Sequence, residues 1–189
     1  MSGLMEEVRH RLTTADYHKM GAAGVFGPTE RVELIEGEII DMAPIGSPHA
    51  GIVGMLNNLL VPAVAGKAIV HVQNPIVLGD LSEPQPDIAV LEPRADYYRH
   101  SHPTAVDLIL LIEVAESSLD FDRQIKLPLY ARYGVPEVWL VDLQHRVLVL
   151  HRRPHDGAYQ ESVVQQDLTR VAPRALPDAA LDLSDLFRY

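Results

Sequence analysis

The chain has 189 residues, 47% of them hydrophobic, which suffices for a buried core, so we expect one domain over residues 1–189. The formal net charge of −10 argues against a broadly basic nucleic-acid-binding surface, and the absence of cysteine excludes disulfides and thiolate zinc sites. No run approaches the roughly 20 apolar residues of a membrane span, and Met1–Glu7 lacks a secretory-signal pattern, so we expect a cytoplasmic protein without a membrane partner.

The first third of the chain predicts a short helix, a hairpin and a longer helix. The short helix covers residues 13–20, and two short strands within residues 31–42 turn at Gly37. Ser47 is predicted to cap the longer helix, with Pro48 at its first position, where proline is favoured. This helix is expected to end near residue 64.

The rest of the chain predicts mainly strands. They are expected at residues 68–72, 76–78, 87–91, 107–115, 138–142, 147–150 and 159–164. A helix is expected from about Asp122 to Tyr133, before the C-cap residue Gly134, and a short one at residues 183–187. The order predicts an α/β (mixed α+β) fold with antiparallel hairpins and one parallel crossover through the helix that starts at Asp122.

Two carboxylates stand where the predicted strands are buried. Asp87 opens a short β-branched run directly after Pro86, and Glu113 lies near the end of the apolar run 106–115. Such a run is typical of a central strand that is covered on both faces. Because an ionised carboxylate is costly to desolvate there, it must be paired, hydrogen-bonded or bound to a metal.

A lysine interrupts the apolar face of the predicted helix that follows Glu113. Lys126 shares this face with Leu129 and Tyr130. Its ammonium group either snorkels to the surface or reaches over the sheet towards Glu113. Pro128 removes a helical hydrogen bond, so the helix either bends there or its regular part begins late. Two acids and an inward lysine are the parts of a magnesium-dependent phosphodiesterase.

Two further polar residues have an open interpretation. Glu33 alternates with apolar neighbours along a short strand and is either an exposed strand residue or a third acid of the site. His49 falls on the apolar face of its helix and is either a core histidine or a ligand. Glu36 and Glu38 flank the hairpin turn and are expected to face solvent.

Two stretches rich in arginine and histidine are candidates for local DNA contact. The first contains Arg94, Arg99, His100 and His102, and the second contains His145, Arg146, His151, Arg152, Arg153 and His155. The alternative is that both form solvated loop or hairpin surface. Without such a patch, metal ions would have to offset the acidic charge before DNA could bind.

Several short motifs also follow one another in a specific order. They are Glu33–Glu38, Ser47–His49, Pro86–Val90, Ile112–Val114, the spacing from Asp120 or Asp122 to Lys126 and Tyr130, and Gly134–Asp142. Together they resemble the Uma-two family of restriction-endonuclease-like proteins, within the PD-(D/E)XK nuclease superfamily. The resemblance covers roughly residues 30 to 150, which would form the restriction-endonuclease-like core, and extends weakly to residues 182–187.

The resemblance implies a mixed central sheet flanked by helices, with an added β-hairpin. It also implies that Asp87 and Glu113 bind Mg²⁺, or alternatively Mn²⁺, with the backbone carbonyl of Val114 as a further ligand. The superfamily's usual lysine two residues after the second acid is absent, because Ala115 stands there. Lys126 matches a lysine that family members supply from the next helix instead.

The resemblance likewise assigns Glu33 as an acid from the first part of the core and His49 as an accessory residue. The expected activity is metal-dependent endonuclease hydrolysis of phosphodiester bonds in duplex DNA. The expected assembly is a homodimer with one site per strand. A rival interpretation is a non-catalytic binding or assembly protein, in which Lys126 and Glu113 form a structural ion pair. A nuclease for RNA or single strands is a third, although no aromatic and basic stacking platform favours it.

Overall fold

A computed structural model describes residues 10–188 of the chain, so the Met1–Glu7 stretch considered above for a secretory signal lies outside the described residues. The helices are α1 (Thr14–Ala22), α2 (Ser47–Ala63), α3 (Leu119–Phe121) and α4 (Leu127–Arg132), with a 3₁₀ turn at Ala105–Asp107 and a π-helical turn at Asp122–Lys126. Between residues 10 and 188, no helix has the length and apolar content that a membrane span requires.

Eight strands form two sheets. They are β1 (Val32–Ile35), β2 (Glu38–Asp41), β3 (Ile69–Val72), β4 (Ile88–Leu91), β5 (Leu108–Ala115), β6 (Glu137–Asp142), β7 (Val147–His155) and β8 (Ala158–Val164). Strands β1 and β2 pair with each other, and β3 to β8 form a six-stranded sheet in chain order. Its strands are antiparallel except for β5 and β6, which run parallel because α3, the π turn and α4 cross over between them.

The six-stranded sheet is covered on both faces around β5, as its continuous apolar sequence predicts. Every residue of Leu108–Ala115 is buried. Leu110 and Ile112 belong to one core cluster, which includes the buried residues of α2, while Leu111 and Ala115 belong to a second, which includes those of α4. Side chains alternate between the faces of a strand, so Glu113 lies on the same face as Leu111 and Ala115.

The hairpin of β1 and β2 turns in two residues, Glu36 and Gly37. Both have positive φ values, 51° and 82°, which is the requirement of the type I′ turns that connect two-residue hairpins. A Cβ at Gly37 would come within 2.5 Å of the side chain of Arg11. The backbone N–H of Gly37 donates to the carbonyl of Leu81, which ties the hairpin to the rest of the protein.

Three predicted features differ from the structure. The N-cap of α2 is Gly46 instead of Ser47, which is the first helical residue; a Cβ at Gly46 would lie 2.7 Å from Oε2 of Glu116. Residues 76–78 form no strand, although Val77 makes one isolated bridge, and residues 183–187 form a turn and no helix. Apolar side chains of residues 76–78 and 183–187 are buried. The apolar pattern of these two segments therefore indicated burial correctly, but it did not indicate their secondary structure.

Candidate active site

The predicted site residues lie around one cavity of about 330 Å³, where β4 begins and β5 ends. Its lining includes Glu33, His49, Asp87, Glu113, Val114 and Lys126. These residues come from β1, α2, β5, the π turn and the residue that precedes β4. The fold therefore brings together the six residues that were predicted for the site.

Asp87 lies where β4 and β5 separate. The first paired residues of these strands are Ile88 and Ile112, so Asp87 stands one position beyond the ladder, opposite Glu113. Its Oδ2 accepts a 2.8 Å hydrogen bond from the backbone N–H of Val114. In a strand the N–H and C=O of a residue point to the same side, so the carbonyl of Val114 also faces Asp87.

Side chains from two other elements complete the surroundings of Asp87. Nε2 of His49 lies 3.0 and 3.1 Å from its two carboxylate oxygens, and Nε2 of Gln73 donates to Oδ1 at 3.2 Å. Burial alone would raise the pKa of Asp87, but these bonds and that from Val114 outweigh it and lower the pKa. The hydrogen bond to Asp87 in turn raises the pKa of His49. Each group therefore stabilises the charged form of the other.

The pKa of Glu113 is shifted in the opposite direction to that of Asp87. It is only 3% exposed, and burial raises its pKa to about 8 although the charge of Lys126 opposes the shift. Oε1 accepts a 2.5 Å hydrogen bond from the hydroxyl of Tyr130. Below about pH 8 a proton therefore competes with any cation for this carboxylate.

Lys126 resolves one of the alternatives left open by the sequence, because its ammonium group does not reach the surface. It is 6% exposed, and Nζ lies 3.3 Å from Oε2 of Glu33 and 3.4 Å from Oε1 of Glu113. Burial alone would lower its pKa, but the surrounding carboxylates outweigh burial and raise it. The side chain is thus held as a cation between two acids that belong to different sheets.

The π turn explains how Pro128 is accommodated two residues after Lys126. The backbone N–H of Leu127 donates to the carbonyl of Asp122, five residues earlier, and α4 begins at Leu127. Pro128 thus stands in the first turn of α4, where its missing N–H is tolerated. Such turns occur frequently at functional sites, and this one carries both Asp122 and Lys126 into the cavity.

Glu33 reaches the cavity from the smaller sheet. All four residues of β1 are buried, and Oε2 of Glu33 accepts a 3.0 Å hydrogen bond from the backbone N–H of Gln85. This carboxylate is therefore fixed from one side by the chain just before Asp87 and from the other by Lys126. The exposed-strand interpretation of Glu33 is wrong, because its side chain is buried between Lys126 and the backbone of Gln85.

Three residues that the sequence analysis did not assign to the site also lie in it or support it. Gln73 has a φ of 52°, a strained value for a non-glycine residue. Both its side chain and its backbone N–H donate hydrogen bonds to Asp87.

Asp122 is buried and accepts a 2.6 Å hydrogen bond from Ser118, and burial raises its pKa. Tyr130 supports Glu113. Asp122 and Tyr130 stand four residues before and after Lys126, a spacing that could have identified them.

Part of the two basic stretches is engaged in ion pairs within the protein. Arg94 pairs with Asp96 at 2.6 Å and lies over the ring of Tyr98. Arg152 pairs with the buried Glu137 at 2.8 Å. These contacts fit a structural role for both arginines.

The cavity is acidic and rich in oxygen donors. Its lining holds six carboxyl side chains, from Glu33, Asp41, Asp87, Glu113, Glu116 and Asp122, against Arg31, Lys126 and His49. Carboxylate and carbonyl oxygens are the ligands that Mg²⁺ prefers. The chemistry of the residues present therefore fits a hard divalent cation.

Comparison with known proteins identifies the family and the fold. Residues 14–184 match the sequence profile of the Uma2 (Uma-two) family, which is described as "Putative restriction endonuclease". A crystal structure from Anabaena variabilis, described as "a putative nuclease belonging to DUF820", superposes with a TM-score of 0.72 at 20% identity, covering 93% of this chain and 97% of that one. At this identity the likeness establishes the fold, a restriction-endonuclease-like mixed sheet with flanking helices. No curated protein matches the chain.

Proposed function

The chain belongs to the Uma2 family, and on this basis we propose that it is a metal-dependent endonuclease, a hydrolase of phosphodiester bonds in DNA. One observation carries the proposal: Nζ of Lys126 is held between Glu33 and Glu113 in the cavity that Asp87 also lines. A buried lysine beside converging carboxylates suits a reaction that builds negative charge on a phosphate.

The metal ligands in this proposal are Asp87, Glu113 and the carbonyl of Val114, with Mg²⁺ as the ion and Mn²⁺ as a substitute. When bound, such an ion lowers the pKa of a coordinated water and offsets charge on the phosphate. The excess of carboxylates supports metal dependence, because an acidic cavity repels a phosphodiester unless cations compensate it.

The remaining side chains donate protons in hydrogen bonds or hold other side chains of the site in place. Lys126 donates hydrogen bonds from Nζ, orients the attacking water and stabilises the developing anion. Glu33 holds Lys126 in the cavity, and the Tyr130 hydroxyl holds Oε1 of Glu113. His49 orients Asp87 through Nε2, in the accessory role that the resemblance implies.

The proposed substrate is duplex DNA, and the proposed assembly is a homodimer. A single site cuts one strand at a time, so cleavage of both strands at one place calls for two copies. Light scattering of the purified chain, alone and with a short duplex, measures this. A monomer in both conditions would contradict the dimer without affecting the proposed chemistry.

A non-catalytic binding or assembly role is the second candidate, and one observation favours it. Lys126 already pairs with Glu113 at 3.4 Å without any metal, as a structural ion pair would. The two candidates differ in metal affinity, because an ion pair needs no cation whereas the nuclease site does.

The test is cleavage of supercoiled plasmid with Mg²⁺, with Mn²⁺ and with EDTA. Glu113→Gln removes a proposed ligand, and Glu92→Gln, at an exposed position outside the cavity, is the matched control. We expect metal-dependent nicking by the wild type and by Glu92→Gln but not by Glu113→Gln. Absence of both cleavage and metal binding, measured by calorimetry, would favour the non-catalytic role.

A further inference from the structure

A second cluster of potential metal ligands lies outside the candidate active site. His18 on α1, Glu83 between β3 and β4, and His102 in the loop before β5 each offer one ligand atom, and these atoms lie within 4.8 Å of one another. Nε2 of His18 is 2.7 Å from Oε2 of Glu83. None of the three residues lines the cavity that holds Asp87 and Glu113.

We propose that His18, Glu83 and His102 form a binding site for a divalent transition metal of the Zn²⁺ class. Two imidazoles and one carboxylate are a ligand set that Zn²⁺ takes in proteins, with a fourth position open to water. Bond lengths of about 2.0–2.2 Å in a tetrahedral site correspond to ligand separations of roughly 3.3 Å. Changes of up to about 1.5 Å in the separations would bring the three atoms to that spacing.

The surroundings of Glu83 support coordination. Its side chain is 3% exposed, whereas His18 is half exposed, and a buried carboxylate needs a cation or several donors. The contact between His18 and Glu83 explains the arrangement of only two of the three groups. Coordination also accounts for His102, whose ring stands nearly perpendicular to that of His18 at 6.3 Å between centroids.

A cavity of about 490 Å³ adjoins the cluster and leaves room for the fourth ligand. His18, His100, His102, Arg99 and Thr104 belong to its lining. Imidazole favours Zn²⁺ and similar ions, whereas carboxylates and carbonyls favour Mg²⁺. The ligand chemistry therefore separates this site from the oxygen-lined candidate active site.

The site would join three segments that are distant in the sequence. Glu83 is also tied to β1, because its backbone N–H donates to the carbonyl of Leu34 at 2.7 Å. A metal there would fasten α1 and the 100–103 loop to the segment that contacts the smaller sheet. Metal binding there should therefore stabilise the folded protein and raise its melting temperature.

The test is Zn²⁺ titration of the full chain against a chromophoric chelator, in an Asp87→Asn background that weakens the candidate active site as a competing Zn²⁺ site. His102→Ala removes a proposed ligand, and His100→Ala, in the same loop and lining the same cavity, is its matched control. We expect one tight Zn²⁺ per chain, an affinity loss of roughly tenfold or more for His102→Ala, and no loss for His100→Ala. His18→Gln, checked for folding by circular dichroism, should repeat the loss.

Three results would overturn the site. They are no tight Zn²⁺ in the starting protein, unchanged affinity in His102→Ala, and equal losses in His102→Ala and His100→Ala. None of them bears on plasmid cleavage, because that assay reports the Asp87 site alone. Zn²⁺ that raises the melting temperature of His100→Ala but not of His102→Ala would support binding at the proposed site.

Discussion

The hydroxyl of Tyr130 donates a 2.5 Å hydrogen bond to Oε1 of Glu113, although the two residues are 17 positions apart. Both side chains are buried where α4 packs against β5. The same oxygen faces Lys126 at 3.4 Å. The protonation of Glu113 is thus set by burial, by a lysine and by a tyrosine together.

Replacing Tyr130 by Phe should shift the pH dependence of cleavage. The hydroxyl lowers the pKa of Glu113, so its loss should raise that pKa further and move the acidic limb of the pH–rate profile to higher pH. The free energy of unfolding should fall by about 0.5–1.5 kcal/mol, as for the loss of an ordinary hydrogen bond. Tyr97→Phe, at an exposed tyrosine, is the control, and an unchanged profile would contradict the assignment.

Glu113→Gln should gain thermal stability relative to the wild type as the pH rises. Because folding raises the pKa of Glu113 from 4.5 to about 8, the folded protein holds the extra proton between these values. The wild type therefore loses stability as the pH increases through this window. Glutamine does not titrate, so the difference in melting temperature in EDTA should widen from about pH 5 to about pH 9. A constant difference would show that Glu113 does not titrate there.

Lys126→Met should both destabilise the protein and abolish cleavage. The substitution leaves Glu33 and Glu113 buried without their shared cation, and breaking such a pair costs about 3–5 kcal/mol. Loss of one positioned donor should lower kcat by about 10²–10³. Urea unfolding and plasmid nicking measure the two effects. Lys67→Met is the control, because Lys67 is half exposed; near-wild-type cleavage by Lys126→Met would exclude a catalytic role.

His49→Ala should weaken the pH dependence of Mg²⁺ binding. In the metal-free protein His49 engages both oxygens of Asp87 and has a raised pKa, so its protonated form competes with the metal. Wild-type affinity should rise as the pH passes through that pKa, and this component should vanish in the variant. Calorimetry at several pH values, with His100→Ala as the control, gives the slopes; equal slopes would contradict the competition.

Residues whose environment follows from strand periodicity could be predicted from the sequence. The apolar run around Glu113 and the position of Asp87 at the start of a strand predicted two acids in buried strands, and the structure places them opposite each other. The position of Lys126 on the apolar face of its helix followed from helical periodicity, although the sequence left open whether its ammonium group reaches the surface or Glu113. Short-range patterns therefore gave the direction of each side chain.

What the sequence could not provide were contacts between elements that no local pattern connects. Gln73 reaches Asp87 because the chain adopts a left-handed conformation after β3, and composition does not indicate such a turn. The π turn is likewise invisible, since Pro128 is compatible with a bend, a late start or a change of helix type. Ile76 and Leu78 are buried like strand residues, but burial does not reveal whether a ladder partner exists.

The placement of Glu33 in the two-stranded sheet has a thermal consequence. The smaller sheet is held to the chain before β4 by hydrogen bonds such as Gly37 N–H to Leu81 and Glu83 N–H to Leu34, and it shares no ladder with the strands that position Asp87 and Glu113. Local opening of so small a unit costs less free energy than global unfolding. On warming, Glu33 would therefore leave Lys126 while the six-stranded sheet stayed intact, so the working temperature of the protein would be set by its smallest sheet.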